Sequence, residues 1–182
     1  MPILPLDYWF WKKEISPKEI KTLNQKIEKN KCEGLDVPAE NVTKTSYVKI
    51  VEAKALQESM NRFIENAYSV NFENFGYNLY PPIFGYWNFN KYDSRNKGEY
   101  DWHVDSSNSN VYDIKLTLIL NISDQKYKGG DFQLYGAKKD IPEFKKPGDI
   151  ILFKSYLPHR VTPVTQGVRK TLTIFLSGPK LI

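Results

Sequence analysis

The chain has 182 residues, 41% hydrophobic and 26% charged, with a formal net charge of +5. A chain of this length removes roughly 70% of its unfolded surface from water on folding, enough for a core without covalent staples, and it reads as one domain over residues 1–182. Cys32 is the single cysteine, which excludes an internal disulfide and any site of clustered thiolates and points to a reducing, cytoplasmic setting. Basic residues alternate with acids, as in KKEISPKE at 12–19, and no run of five like charges occurs. The surplus is therefore a solvated surface rather than a nucleic-acid stripe.

The opening MPILPLDYWFW is apolar, yet it carries two prolines and Asp7, has no basic leader and is too short to cross a bilayer, so no targeting or membrane segment is expected. Ser16, Pro17, Lys18 and Glu19 form a capping box with proline at the first helical position, and Ile20, Leu23 and Ile27 recur at helical spacing. These predict a helix over 17–30. The stretch Asn30 to Asn41 holds Gly34 and Pro38 and reads as a connection, in which Cys32 is a structural or idle thiol. Tyr47 to Val51 is a candidate short strand. Leu56, Met60, Phe63, Ile64 and Ala67 then trace one stripe, which predicts a second helix over 52–68 with that stripe in the core.

From about residue 76 the period changes to two. Candidate strands fall at 83–90, 99–105, 113–121, 131–135, 149–154, 158–163 and 168–176, separated by turn chemistry at Lys128–Asp131 (KGGD) and Lys146–Asp149 (KPGD). The pair Gly129 and Gly130 reads as a hairpin turn. Helices followed by many strands indicate an α+β protein: a helical part over about 1–75, then a sandwich or jelly-roll core over about 76–182 with the helices covering one side.

The chemistry is constrained by scarcity, because His103 and His159 are the only histidines. His103 and Asp105, two apart in an extended stretch (YDWHVD), share a face and can converge on one ion. A sheet pairing could bring His159 to them. Two imidazoles and one carboxylate leave coordination positions open, the pattern of non-haem ferrous oxygenases. That spacing alone is weak. Arg169 strengthens it: it lies ten residues after His159 in a strand whose alternation puts Arg169, Thr171, Thr173 and Phe175 on one face. A buried arginine requires an anion, and a dicarboxylate reaching from a metal to the guanidinium would supply it. The charges of ferrous iron, Asp105, a dicarboxylate and Arg169 then cancel, which permits burial. Other chemistries lack support. Ser155 and Ser177 sit in no nucleophile elbow, and the double glycine has no phosphate-loop spacing. Asp101 reads as a turn residue and Tyr100 as packing.

On these residues the chain resembles, over roughly 84–176, the prolyl 4-hydroxylase-like branch of the iron(II) and 2-oxoglutarate-dependent dioxygenases. The motifs are Tyr92 with YDWHVD, the leucine-rich LTLILN strand ending at Asn121, YKGGDFQLY, PGDIILF and HRVTPVTQGVRKTLTIF. The resemblance implies a double-stranded β-helix (jelly-roll) core with N-terminal helices packed on one sheet. It implies Fe(II), 2-oxoglutarate and dioxygen as cofactors. The catalytic metal ligands would be His103, Asp105 and His159, the 2-oxoglutarate anchor Arg169, and Tyr92 and Thr173 further co-substrate contacts. It implies hydroxylation of a C–H bond of a prolyl residue in a peptide or protein, with the aromatic stretch Phe84 to Trp102 as a groove wall.

Alternatives on the same scaffold are a free amino acid or other small metabolite as substrate, a nucleic-acid demethylase, or a non-catalytic metal-binding jelly-roll module. A demethylase is opposed by the lack of a second arginine shortly after Arg169 and of a basic stripe. The chain departs from the family pattern where some members carry a second tyrosine and it has Ile119, with Thr117 as a candidate replacement for the missing hydroxyl. Animal collagen enzymes anchor with lysine where this chain has Arg169, and no separate peptide-binding domain is expected. The sequence does not fix the oligomeric state.

Overall fold

The computed structural model describes residues 6–30, 34–35, 43–81, 85–105, 111–135 and 144–180. Strand β1 (Tyr8–Trp11) precedes helix α1 (Pro17–Lys29), short strand β2 (Gly34–Leu35) and strand β3 (Tyr47–Glu52), which runs directly into helix α2 (Ala53–Val70). The capping box at Ser16 forms as expected: its side chain accepts from the Glu19 amide at 3.3 Å, and the Glu19 carboxylate accepts from the Ser16 amide at 2.8 Å. One π-helical turn (Asn71–Phe75) extends α2 and stops at Gly76, whose φ of 72° suits a residue without Cβ.

The remainder is sheet. Strands β4 (Tyr86–Asp93), β5 (Tyr100–His103), β6 (Tyr112–Asn121), β7 (Lys128–Gly129), β8 (Phe132–Leu134), β9 (Ile150–Lys154), β10 (His159–Val161), β11 (Val164–Gln166) and β12 (Val168–Pro179) follow, with a 3-10 turn at Ser94–Asn96. The major sheet has the order β1-β9-β6-β12-β4-β3-β2. Opposite it stand β5-β10-β8 and the β7-β11 pair. All pairings are antiparallel.

Side-chain alternation divides the interior into two cores. From β6, β9 and β12 the residues Leu116, Leu118, Leu120, Ile150, Leu152, Leu172, Ile174 and Leu176 pack under Leu23, Ile27, Leu56, Met60 and Phe63 of the helices. Their neighbours Ile119, Ile151 and Phe153 point the other way and meet Phe132, Leu134, Val161 and Val164 of the smaller sheets. The result is helices on one face of a double-sheet jelly roll, the expected α+β architecture.

Two local readings change. β1 falls in the segment read only as apolar, and it pairs with β9 from Tyr8↔Phe153 to Trp11↔Ile150 at the sheet edge. Its four aromatic and apolar residues cover β9 instead of preceding the helix as a loop. Gly129 and Gly130 are not a hairpin tip: β7 pairs with β11 and β8 with β10, so the glycines bend one continuous arm between two small sheets. At Gly129 a Cβ would come within 2.2 Å of the Pro163 carbonyl oxygen, so the arm closes only around glycine. Cys32, Phe84 and most of the 30–41 connection lie outside the described residues. No helix among the described residues is long and apolar enough to cross a membrane.

Candidate functional site

The site lies between the two sheets. His103 ends β5 and His159 begins β10, and these strands pair so that the two histidines are direct partners. Their ring centres stand 4.1 Å apart. Asp105 follows β5 by two residues, and its amide donates to the Ser155 carbonyl at 3.0 Å, which fixes the chain where it leaves the strand. Asp105 Oδ1 lies 3.9 Å from His103 Nε2 and Oδ2 lies 3.5 Å from His159 Nε2. The three ligand atoms fall within 4.8 Å of one another, a span one ion can bridge.

Each imidazole is oriented by a backbone carbonyl. His103 Nδ1 contacts the Asp101 carbonyl at 2.7 Å, and His159 Nδ1 contacts the Leu157 carbonyl at 3.0 Å. A carbonyl only accepts, so both Nδ1 atoms carry the proton and both Nε2 lone pairs face inward, the state a metal ligand needs. Burial, with the neighbouring His159 for His103, pulls both rings down to about 4, so they are neutral near pH 7 and their contacts with Asp105 are not ion pairs without a metal. Burial also pushes the Asp105 carboxyl up, against a hydrogen bond from Thr117 that holds it down. Thr117 Oγ1 donates to Asp105 Oδ2 at 2.7 Å and is 3.0 Å from Ser155 Oγ, so the serine donates to the threonine and the threonine to the carboxylate. Thr117 thus faces Asp105 and does not line the cavity in place of the missing tyrosine.

Beside the triad is a cavity of about 90 Å³, walled in part by Ile119, Phe132 and Phe175. Two larger hollows, of about 990 and 560 Å³, lie elsewhere, and neither contains a histidine. Arg169 projects into the small one from β12, with Thr171, Thr173 and Phe175 on the same face as the alternation predicts. Arg169 is 1% exposed, and its Nε and Nη2 have no hydrogen-bond partner among the described residues. A buried guanidinium with two unused donors is costly unless an anion meets it. Its group centre lies 5.4 Å from the Tyr92 ring, its cross-strand neighbour on β4, and 5.5 Å from Phe144. Burial pushes the Tyr92 phenol up to about 12, so it stays a hydroxyl. Thr173 Oγ1 accepts from Asn90 Nδ2 at 3.3 Å. The donor set and the orphaned guanidinium suit a divalent metal plus a small dianion.

Sequence reading passes over four side chains here. Tyr100, read as packing, stacks on His103 at 3.4 Å between ring centres and 14° between planes. Asn90 and Asn88 alternate with Phe89 on β4 and face inward, which a period-two scan of 86–93 would have revealed. Lys44 Nζ stands 4.3 Å from the Tyr100 ring centre. No local signal marks it, because its contacts come from strands 46 or more residues away. Asp101, read as a turn residue, contributes only its carbonyl.

Comparison with known proteins gives the family and the fold. A sequence model of the 2OG-Fe(II) oxygenase superfamily matches residues 87–177, half of the chain. A PKHD-type hydroxylase of Teredinibacter turnerae is 37% identical over 107 residues, 55% of this chain and 44% of the relative. The chain spans less than half the length of the curated relatives it matches. Among solved structures, a viral collagen prolyl hydroxylase from Paramecium Bursaria Chlorella virus-1 matches with a TM-score of 0.71 at 15% identity, over 95% of this chain and 97% of that one. A Trichoplax adhaerens prolyl hydroxylase bound to a hypoxia inducible factor peptide fragment matches with a TM-score of 0.67 at 14% identity, over 93% and 83%. These two share the fold. With half of its length matched by the family's own sequence pattern, the chain belongs to the 2OG-Fe(II) oxygenase superfamily.

Proposed function

We propose that the protein is an Fe(II)- and 2-oxoglutarate-dependent dioxygenase that hydroxylates a C–H bond of a prolyl residue or related amino acid. His103, Asp105 and His159 are its metal ligands and Arg169 anchors the distal carboxylate of 2-oxoglutarate. The observation that carries this reading is the convergence of three ligand atoms within 4.8 Å beside a buried guanidinium with two unsatisfied donors. When bound, iron and 2-oxoglutarate together supply dioxygen activation coupled to oxidative decarboxylation, which yields succinate, carbon dioxide and a hydroxylated product.

The chain's own residues prepare that chemistry. The carbonyls of Asp101 and Leu157 hold both imidazoles with Nε2 inward. Thr117 occupies one lone pair of Asp105 and favours its ionised form. Arg169 neutralises and orients the co-substrate, with Tyr92 and Thr173 at its sides, and Ile119, Phe132 and Phe153 keep water from the interior. The prolyl assignment is drawn by analogy from the prolyl hydroxylases whose fold the chain shares.

Anaerobic addition of Fe(II) and then 2-oxoglutarate to the intact protein should give a visible charge-transfer band, lost in His103→Ala and Asp105→Ala. Arg169→Ala should keep iron and weaken 2-oxoglutarate binding. A folded protein that gives no band removes the proposal, and an unchanged co-substrate affinity in Arg169→Ala removes the role of that residue.

A further inference from the structure

The site contains a second, half-buried cation that the family reading does not use. Lys44 reaches it from the segment before β3, where its backbone bridges to Tyr100 and closes the seam between β3 and β5. Its Nζ lies 4.3 Å over the Tyr100 ring, that ring is stacked 3.4 Å from His103, and Lys44 lines the same cavity as His103 and Asp105. Its hydrogen bond to Asn90 Oδ1 is long, at 3.4 Å. Among the described residues no carboxylate forms an ion pair with it. Asp105 attracts it from a distance while burial disfavours its charge and pulls it down to about 8, which still leaves it mostly protonated near pH 7.

The charges of the loaded site give this lysine a purpose. The two positive charges of ferrous iron and the one of Arg169 are matched by Asp105 and the two negative charges of 2-oxoglutarate. Lys44, half-buried at the same cavity, then adds a positive charge with no counterpart among the groups of the loaded site. An amide-linked prolyl residue brings no charge to offset it. A carboxylate does, and an ammonium on a four-carbon stem is a suitable point charge to receive one. The π face of Tyr100 would hold the ammonium in place before the substrate arrives.

Resting on the iron and 2-oxoglutarate reading, we infer that Lys44 is the specificity-determining anchor for a substrate carboxylate, so the substrate is an amino acid with its carboxyl group free, alone or at a chain end.

The test measures binding without turnover. The charge-transfer band of the anaerobic Fe(II) and 2-oxoglutarate complex is monitored while free L-amino acids, including L-proline, and glycyl-L-proline are added, each beside its carboxamide. Wild type, Lys44→Gln and Lys44→Arg are compared, with thermal melting to verify folding. The expected result is that at least one acid shifts the band and its amide binds about tenfold or more weakly. Lys44→Gln should lose about tenfold or more of the affinity for the acid while leaving the amide and 2-oxoglutarate unchanged, and Lys44→Arg should keep most of it. Amides binding as tightly as acids, a folded Lys44→Gln protein with wild-type affinity for the acid, or no acid of the panel shifting the band would each overturn the inference. Failure of the band to form in the wild type overturns the underlying iron and co-substrate reading instead, and the role of Lys44 with it.

Discussion

Thr117→Val is the most informative single change, because it leaves the volume of a fully buried side chain nearly intact and deletes one hydroxyl. That hydroxyl donates at 2.7 Å to Asp105 Oδ2 and receives from Ser155. A hydrogen bond to an ionised group contributes about 1.5–3 kcal/mol, and Asp105 has a side chain only 12% exposed, so water replaces little of the loss. At about 1.4 kcal/mol per decade, the affinity for a divalent metal should fall about 10- to 100-fold, the range usual for groups behind a metal ligand. The sign of the pH effect also follows. Thr117 opposes the upward push of burial on the Asp105 carboxyl, so its loss leaves the acid protonated to higher pH and moves the acid limb of metal binding upward. Anaerobic Fe(II) or Co(II) titration from pH 5.5 to 8 measures both effects. A folded Thr117→Val protein with wild-type affinity and an unmoved acid limb would show that Asp105 does not depend on this donor, and would refute the chain from Ser155 through Thr117 to the metal.

Three further outcomes are expected. In the metal-free protein both imidazoles sit near 4 against an ordinary 6.5, so the unfolded chain takes up their protons first. Stability is then intact above about pH 6.5 and falls as pH drops toward 4, by up to about 1.4 kcal/mol per pH unit for each ring. Melting temperatures of metal-free protein at pH 7, 6 and 5 check this, and a flat profile contradicts it. Gly130→Ala places a Cβ 2.8 Å from Val164 Cγ2 and 2.9 Å from Arg169 Cδ at a φ of +62°; 2-oxoglutarate titration should show about tenfold weaker binding with iron affinity retained. Leu118→Ala removes a fully buried side chain under the helices and should cost about 2–5 kcal/mol in chemical denaturation, with co-substrate affinity unchanged in the folded fraction.

Where the residues themselves carry a period, the sequence was legible. The stripe from Leu56 to Ala67 and the capping box at Ser16 located both helices within two residues, since amphipathic spacing and cap chemistry are local. Arg169, Thr171, Thr173 and Phe175 were placed on one face by alternation alone. The joining of His103 to His159 required a guess about strand pairing, since nothing local specifies that β5 lies against β10. β1 escaped notice because four residues are too few to display a period and its partner β9 lies far along the chain. Lys44 was unreadable for a related reason: a lone lysine resembles any surface lysine until β4 and β5 supply Asn90 and Tyr100 around it. Thr117 was noticed for the wrong duty, because which hydroxyl reaches the cavity and which reaches Asp105 depends on sheet twist and not on spacing.

Strand β12 has two clienteles. Leu172, Ile174 and Leu176 press against the helices, while Arg169, Thr171 and Thr173, interleaved with them one by one, furnish the cavity. Its backbone therefore cannot slide or twist to suit one side without disturbing the other. Efforts to redirect this scaffold to new compounds should leave those positions and the ligand-bearing strands β5 and β10 untouched and diversify β8 instead, which is short and supports no helix.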